Sequence, residues 1–221
     1  MNTPKAVTRR TVNTALLAVN ALAAVPAVVR AQDLRGLPAP RKDIGKPLMQ
    51  ALQARRSTRE YSTRPLPDQV LSELLWAAYG VNRPSGDRTA PYWRHIMVLD
   101  LYAAMADGVW LYEPTQHALR PHLAADLRAR TGTQDFVGTA PLNLIYVVHG
   151  ERMKDVPAEE RRLYGSVDAA FAGQNVYLYC ASEGLATVFR GAVDYAGLGR
   201  ALRVADGQFV AFAQTVGYPQ S

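Results

Sequence analysis

The sequence predicts an α+β fold in which helices pack on a small central sheet with antiparallel or mixed strands. Two segments with helical apolar spacing come first, short runs rich in β-branched and aromatic residues follow, and a long apolar helix precedes one last strand. The 221 residues, 48% hydrophobic and 9% aromatic, are enough to bury one sizeable core. A disordered or collagen-like chain is therefore excluded.

The positive charge of the chain is concentrated in its first 31 residues. Four of the six net positive charges lie there, on Lys5, Arg9, Arg10 and Arg30, and the segment contains no acidic residue. The rest of the chain carries 21 basic and 19 acidic side chains, so it is almost neutral. This distribution argues against a nucleic-acid-binding function.

Residues 1–31 have the pattern of a cleaved export signal. The pair Arg9-Arg10 precedes an uncharged run rich in Ala, Val and Leu at residues 11–29, and cleavage is expected near Ala31. The paired arginines and the weak hydrophobicity of the run resemble a twin-arginine signal. An N-terminal membrane anchor is the alternative, because the length of the run is borderline for spanning. The signal predicts a periplasmic or otherwise exported protein with no stable membrane span in its mature form.

The first elements of the mature chain follow an irregular segment. Residues 32–47 are rich in Pro, Gly and charge, and they predict an extended arm. A short helix begins at Leu48 and ends near Arg55. Its apolar side consists of Leu48, Met49 and Leu52. Residues 67–79 predict a clearer helix with one apolar stripe, which Gly80 can end.

The middle of the chain predicts strands. The apolar runs 95–105 and 109–112 are separated by a turn, and both are typical of β-strands. Residues 121–131 have helical spacing. The run 141–150 is β-branched and almost continuously apolar, which indicates a buried central strand.

The last third of the chain predicts helix and strand. Residues 151–164 are charged and predict a solvated helical connection. Residues 166–182 predict a long helix that is apolar on more than one side, as expected for a helix buried within a domain or between subunits. Residues 207–219 predict the last strand.

Three arginines and a serine follow the first short helix and form the first candidate site. Arg55, Arg56, Ser57 and Arg59 offer guanidinium forks and a hydroxyl donor, a set suited to a phosphate group. The same residues also fit an ordinary solvated helix terminus, where cations complement the helix dipole.

The turn after the long helix is the second candidate site. Glu183, Gly184 and Leu185 follow the helix, and a glycine turn there can free backbone N–H groups to face a ligand. An ordinary glycine C-cap followed by a strand is the alternative.

Several chemistries find no support in the sequence. Cys180 is the single cysteine, which excludes an intramolecular disulfide and a multi-cysteine metal site. The histidines lack metal-ligand spacing, so no metal site is predicted. Glycine-rich nucleotide motifs and the G-x-S-x-G motif of serine hydrolases are also missing from the sequence.

Taken together, the motifs resemble the nitroreductase family of FMN-dependent oxidoreductases. R-R-S-T-R-E-Y at 55–61, E-G-L-A-T at 183–187 and V-G-Y-P at 216–219 occur in that order and at family-like spacing. The stretch G-V-W-L-Y-E-P-T-Q-H-A-L at 108–119 is similar to the branch related to the thiazole/oxazole-forming dehydrogenases. The resemblance covers residues 45–219.

The resemblance implies a nitroreductase-like domain over residues 48–221. It also implies a homodimer with two FMN sites between the subunits and with the long buried helix at the interface. Hydride would pass from NAD(P)H to flavin N5 and then to a nitroaromatic, a quinone or a similar small acceptor. No catalytic side chain is expected, because the flavin carries the chemistry.

Individual site residues follow from the same resemblance. Arg55, Ser57 and Arg59 match positions that hold the FMN phosphate and pyrimidine ring, with Arg56 alongside. Glu183 and Gly184 match positions whose backbone N–H groups face the N5 and O4 edge of the flavin, and Leu185 completes that turn.

The sequence also departs from the family pattern. His95 stands where many members have a flavin-contacting Asn, and Met97 stands where they have Gln. No Lys or Arg follows G-Y-P, so the phosphate charge falls to the arginines of 55–59, with help expected from Arg190.

These departures leave one alternative function open: a non-catalytic dimer of the same fold that has lost flavin and binds a small apolar ligand or a protein partner. The electron donor is open as well. Because free nicotinamide is scarce outside the cytoplasm, a protein or quinone donor could replace NAD(P)H.

Overall fold

The computed structural model describes residues 34–220. Its strands form one seven-stranded sheet in the spatial order β1-β4-β3-β2-β5-β7-β6, and every neighbouring pair is antiparallel. The strands are β1 (Arg35–Gly36), β2 (Leu99–Met105), β3 (Gly108–Glu113), β4 (Ala118–Leu123), β5 (Leu142–His149), β6 (Ala186–Arg190) and β7 (Gln208–Gly217). The predicted α+β class is confirmed, and the sheet is antiparallel rather than mixed.

The central strand β5 is buried along its whole length, as its apolar run predicted. Leu144 and Tyr146 face the larger core cluster, which includes residues of the helices on one side of the sheet. Ile145 and Val147 face the smaller cluster on the other side. A strand covered on both faces needs apolar residues at successive positions, which explains the missing alternation.

Four helices cover the two faces of the sheet. They are α1 (Leu48–Ala54), α2 (Asp68–Tyr79), α3 (Ala158–Glu183) and α4 (Tyr195–Leu202). The first two pack against α3, which lies on β5, β6 and β7, while α4 covers the opposite face. Small residues let α3 approach closely, since a Cβ at Gly165 would lie 2.5 Å from Val148 and one at Gly173 would lie 2.5 Å from Phe189.

Two secondary-structure predictions are wrong. Residues 121–131 do not form a helix, because 118–123 pair with β3 as strand β4. Leu123 and Leu127 pack on the smaller cluster from the strand and from the loop after it. Residues 151–164 are not a separate helix either, because α3 begins at Ala158 and runs without a break for 26 residues.

The helix faces turned away from the sheet expose apolar side chains. Leu48 and Met49, predicted as part of the apolar side of α1, are 62% and 74% exposed. On α3, Leu163, Val167 and Phe171 form an exposed stripe at four-residue intervals. Within residues 34–220, no helix has the length and apolar character needed to cross a membrane. The predicted signal at 1–31 lies outside the described residues.

Candidate functional site

The segment 55–59 leaves α1 as extended backbone that lies against the sheet. The helix ends at Arg55, whose φ of −53° and ψ of 126° are not helical and whose N–H donates to the Ala51 carbonyl. The Thr58 N–H then donates to the Thr187 carbonyl of β6 over 2.9 Å. This bond fixes the segment beside the strand that follows the turn 183–185.

Tyr177 of α3 connects the arginine segment to β6. The Arg55 guanidinium lies 5.1 Å from the centre of the Tyr177 ring, a cation–π contact. The Phe189 N–H donates to the Tyr177 hydroxyl over 2.9 Å, and that hydroxyl is 2.8 Å from Ser57 Oγ. When the Tyr177 O–H donates to Ser57 Oγ, the proton of Ser57 stays available for an external acceptor.

The cations around this segment have no anionic partner among residues 34–220. Arg55, Arg56 and Arg59 form no ion pair there, and neither does Lys46. Within residues 34–220, the side-chain ammonium of Lys46 donates only to the Ala181 carbonyl, over 3.2 Å. Guanidinium forks and a hydroxyl without carboxylate partners are the donor set that a phosphate or another oxyanion needs.

The turn 183–185 begins at the end of α3. Gly184 has left-handed dihedral angles, φ 72° and ψ 25°, and is exposed. The N–H groups of Gly184 and Leu185 both donate to the Cys180 carbonyl. Closing the helix end therefore engages both donors, including the N–H of Gly184, which was expected to face a ligand. The glycine C-cap alternative describes the local geometry, and β6 follows at Ala186.

The two predicted motifs share the wall of one cavity. A cavity of about 260 Å³ is lined by Arg56 and Thr58 on one side and by Gly184 and Leu185 on the other, with Tyr177 between them. A larger neighbouring cavity, of about 420 Å³, shares Lys46 with the first. Its other walls include Leu48, Trp76, Asn82, Asn175, Leu178 and Glu183.

Within one chain, His95 lies apart from segment 55–59 and from the turn 183–185. It belongs to a short 3₁₀ turn at Trp93–His95, whose Trp93 N–H donates to the Asp168 carboxylate over 3.0 Å. Asp168 and Tyr177 are nine residues apart on α3, which separates them by about 13 Å along the helix axis. Both His95 and Gly184 are exposed, but they lie toward different ends of α3.

Arg190 does not join the surface arginines, contrary to the prediction. Its side chain is buried, and its guanidinium donates to the Thr131 carbonyl, Asn143 Oδ1 and Thr215 Oγ1. Burial lowers the pKa of Arg190 to about 10, although Tyr61 opposes this effect. Because its donors are engaged in the interior, Arg190 cannot supply charge to a ligand at 55–59.

Sequence reasoning missed Tyr177 and Lys46. Tyr177 lies in an apolar helical run, where nothing distinguishes it from the core tyrosines of the chain. Lys46 belongs to the irregular arm, and its N–H donates to Ser182 Oγ over 2.6 Å. No spacing rule links residue 46 to residue 182, so only the folded chain brings them together.

Residues 108–119, which suggested a branch of the family, form the hairpin of β3 and β4. Within it, Tyr112 Oη lies 2.9 Å from His117 Nδ1, and His117 Nε2 lies 2.7 Å from Ser72 Oγ of α2. Burial lowers the pKa of His117, which favours the neutral ring in this network. These contacts hold the hairpin against α2 and do not reach segment 55–59.

Comparisons with known proteins agree on one family. The sequence model of the nitroreductase family matches residues 52–218. A curated protein of Methanocaldococcus jannaschii that carries the nitroreductase name is 34% identical over 155 residues, which are 66% of this chain and 78% of the relative.

Solved structures show the same fold. A crystal structure from Ralstonia eutropha JMP134, named as a nitroreductase, is 43% identical in sequence and has a TM-score of 0.82. The similarity covers 89% of this chain and 94% of that one. The NADPH:FMN oxidoreductase of Vibrio harveyi in complex with NAD⁺ has a TM-score of 0.59 and 21% identity. The similarity to this second structure covers 79% of this chain and 69% of that one, and it bears on the fold alone.

Proposed function

The chain belongs to the nitroreductase family, and from this premise we propose that it is an FMN-dependent oxidoreductase. It would pass hydride from a reduced donor to a small organic acceptor. The observation that carries the proposal is the meeting of segment 55–59 with the turn 183–185 around Tyr177. The V. harveyi relative, named for NADPH and FMN, supports flavin and nicotinamide use in this fold.

The donor set at 55–59 fits the phosphate of FMN. A phosphate carries nearly two negative charges, so several cations and a hydroxyl donor suit it. Arg55, Arg56 and Arg59 supply cations without carboxylate partners among the described residues, and Ser57 supplies a hydroxyl. This set needs no contribution from Arg190 and no basic residue after Pro219.

The remaining site residues orient and enclose the ligand. When bound, FMN supplies the hydride-accepting and hydride-donating atom, so no acid or base side chain is required. Guanidinium groups near the ring favour its reduced form by electrostatic attraction. The wall formed by Leu48, Trp76 and Leu178 suits a flat apolar acceptor such as a nitroaromatic or a quinone.

The proposed assembly is a homodimer. Exposed apolar side chains on α1 and the stripe of Leu163, Val167 and Phe171 on α3 are typical of an interface. A dimer also accounts for the separation of His95 from segment 55–59, because the partner's copy of one can approach the other. Sedimentation equilibrium tests this assembly: the wild type should be a dimer, and Phe171→Arg should shift it toward a monomer.

The visible spectrum of the purified protein tests the flavin proposal. We expect a yellow protein with one FMN per chain, and bleaching of the flavin band under anaerobic conditions when a reduced donor is added. NADH, NADPH and a reduced quinone should be compared as donors. A colourless protein that takes up no added FMN would contradict the proposal and favour the non-catalytic alternative.

The proposed location outside the cytoplasm rests on residues 1–31 alone. If this segment is a twin-arginine signal, Arg9→Lys combined with Arg10→Lys should retain the protein in the cytoplasm with its leader attached. Export of the double variant at the wild-type level would contradict the proposed route. An N-terminal sequence of the exported protein beginning near Ala31 would support cleavage over anchoring.

A further inference from the structure

A separate cavity lies at the start of strand β7, between α3 and α4. Its volume is about 360 Å³, and it shares no lining residue with the two cavities beside segment 55–59. Two of its lining residues belong to opposite faces of the sheet, since Phe209 packs on the larger core cluster and Val210 on the smaller one. A cavity that touches both faces lies at the edge of a sheet.

The edge of β7 is open at this place. Strand β6 pairs with β7 only between Ala213 and Gly217, and it ends at Arg190. The chain then turns away from β7, and the Ala192 carbonyl accepts from the Thr133 N–H over 3.1 Å. Residues 208–212 therefore pair with β5 on one side and with no described strand on the other.

The backbone groups of Val210 point to the open side. The His149 N–H donates to the Val98 carbonyl over 2.7 Å, so the backbone groups of His149 face β2. Gln208, the partner of His149 in β7, therefore directs its groups away from β5, and the alternation of an antiparallel pair gives Val210 the same direction. Val210 is only 3% exposed, yet no described segment beyond this edge bonds its N–H or carbonyl. Buried backbone groups are normally paired, so this edge suits a strand from outside.

Two arginines stand beside the open edge, one on each face of the sheet. The guanidinium of Arg162 on α3 lies 4.9 Å from the centre of the Phe209 ring, and Arg200 of α4 lines the cavity from the other face. Neither forms an ion pair within residues 34–220, and no acidic residue lines the cavity in that part of the chain. The open edge is therefore flanked by positive charge that complements carboxylates.

From these observations we propose that the edge of β7 docks an extended, acidic peptide segment of a partner protein, which adds as a strand beside Val210. The main chain of the segment would pair with Val210, and its carboxylates would meet Arg162 and Arg200. Side chains of a strand alternate between the two faces, so neighbouring residues of the segment reach different arginines. The segment should therefore carry two acidic residues in direct succession.

This docking surface is independent of the proposed flavin function. Arg162 and Tyr177 are fifteen residues apart on α3, which separates them by about 22 Å along the helix axis. Peptide binding should therefore be measurable in protein with or without flavin.

Titration calorimetry at low ionic strength with two hexapeptides tests the proposal. Acetyl-Thr-Val-Glu-Asp-Val-Thr-amide places its carboxylates on opposite faces of a strand. Acetyl-Thr-Glu-Val-Asp-Val-Thr-amide has the same composition and charge but places both on one face. The first should bind with a Kd below about 1 mM, and the second about three- to fivefold more weakly, because it engages one arginine only. Absence of binding by the first peptide, or equal binding of the two, would overturn the proposal.

Pairing of the main chains has its own test. The first peptide, N-methylated at Glu and Asp, loses the N–H that donates to the Val210 carbonyl, and it should bind at least about tenfold more weakly. Saturation with the unmethylated peptide should slow hydrogen exchange of the Val210 amide by at least about tenfold. Equal affinity of the methylated peptide, or unchanged exchange at Val210, would mean that the arginines bind carboxylates without a strand, and the proposal would fail.

Variants of the two arginines test the proposed charge contacts. Arg162→Gln and Arg200→Gln should each weaken binding of the first peptide about three- to fivefold and leave the melting temperature unchanged. Arg130→Gln is the matched control, because Arg130 is exposed, forms no ion pair among the described residues and does not line the cavity. It should bind the peptide like wild type. Equal affinities in all three variants would contradict the assigned surface.

A second copy of this chain is the other possible occupant of the edge. Sedimentation equilibrium separates the two, since Arg200→Glu should abolish peptide binding and keep the mass of wild type. A lower mass for Arg200→Glu would indicate that the edge joins copies of this chain, and it would overturn the assignment of a partner peptide.

Discussion

The arginines of segment 55–59 and the buried Arg190 show how the same side chain serves two purposes in this chain. Arg55, Arg56 and Arg59 lie at the surface and have no carboxylate partner among residues 34–220. Arg190 is 3% exposed and donates to Thr131, Asn143 and Thr215. The first group has donors to offer to a ligand, whereas Arg190 uses its donors to hold strands together.

An anion site is therefore indicated by hydrogen-bond donors without partners, and not by the presence of arginine alone. The sequence suggested both regions as phosphate partners, and only the hydrogen bonds separate them. Folding and ligand binding can be measured separately, so variants of the two regions test this distinction directly.

The largest expected effect is on folding, from Arg190→Leu. The substitution leaves Asn143, Thr215 and the Thr131 carbonyl without their donor in the interior, and we expect unfolding free energy to fall by about 3 kcal/mol or more. Urea denaturation measures it. The control is Arg130→Leu at an exposed position, which should change stability by less than about 0.5 kcal/mol. Equal effects of the two substitutions would show that Arg190 is not a structural residue.

Asp168→Asn should remove a pH dependence of the unfolding free energy. The expected size is similar to the effect of Arg190→Leu. Burial raises the pKa of Asp168 to about 6, although the Trp93 N–H bond opposes the shift. The folded state therefore binds more protons than the unfolded state between about pH 4 and pH 6, and stability falls as pH rises through this window. The ionised, buried carboxylate costs up to about 3 kcal/mol above pH 6.

The Asn side chain does not titrate but can still accept from the Trp93 N–H. Asp168→Asn should match wild type near pH 4 and exceed it in unfolding free energy at pH 7.5. Urea denaturation at both pH values measures the difference. Asp206→Asn is the control, because Asp206 is exposed and its replacement should leave the pH dependence of wild type in place. An unchanged pH dependence in Asp168→Asn would refute this role.

Arg55→Ala should weaken FMN binding without changing stability. Loss of one charge-assisted contact to the phosphate costs about 1.5–3 kcal/mol, which is roughly ten- to a hundredfold in Kd. Fluorescence titration of the apoprotein with FMN measures this. Arg64→Ala, which removes a guanidinium stacked 4.2 Å from the centre of the Tyr218 ring, is the control and should bind FMN like wild type. If Arg55→Ala and Arg64→Ala bind FMN with the same affinity, Arg55 has no special role in binding the phosphate.

The smallest effect is expected from Tyr177→Phe. The change removes the hydroxyl that joins Ser57 to the Phe189 N–H but keeps the ring under Arg55. We expect FMN affinity to fall about fivefold, corresponding to about 1 kcal/mol for one hydrogen bond. The same titration measures it, and Ser57→Ala in the Tyr177→Phe background should then cost less than in wild type. If the two substitutions reduce the free energy of FMN binding additively, the hydroxyls of Tyr177 and Ser57 are not coupled.

The fold class could be predicted from the sequence because the apolar residues of its main elements recur at regular spacing. The continuous apolar run of β5 and the stripe of α2 reflect burial that depends on local spacing. Part of strand β4 was predicted as a helix at 121–131, and it is the pairing with β3, a contact between segments, that makes it a strand. The helix α4, only eight residues long, was also missed, and its position is set by packing against the smaller core cluster.

The candidate site was partly predictable. The runs 55–59 and 183–185 are local in sequence, and the structure places both around one cavity. Tyr177, Lys46 and the separation of His95 depend on contacts between distant residues, which no spacing rule encodes.

The contribution of the phosphate site can be measured by comparing FMN with riboflavin, because riboflavin lacks only the phosphate. If the free cations of segment 55–59 hold that phosphate, wild-type apoprotein should bind FMN at least about tenfold more tightly than riboflavin, and Arg55→Ala should reduce this ratio toward one. Equal binding of the two flavins by wild type, or an unchanged ratio in Arg55→Ala, would contradict the assignment of segment 55–59 as the phosphate site.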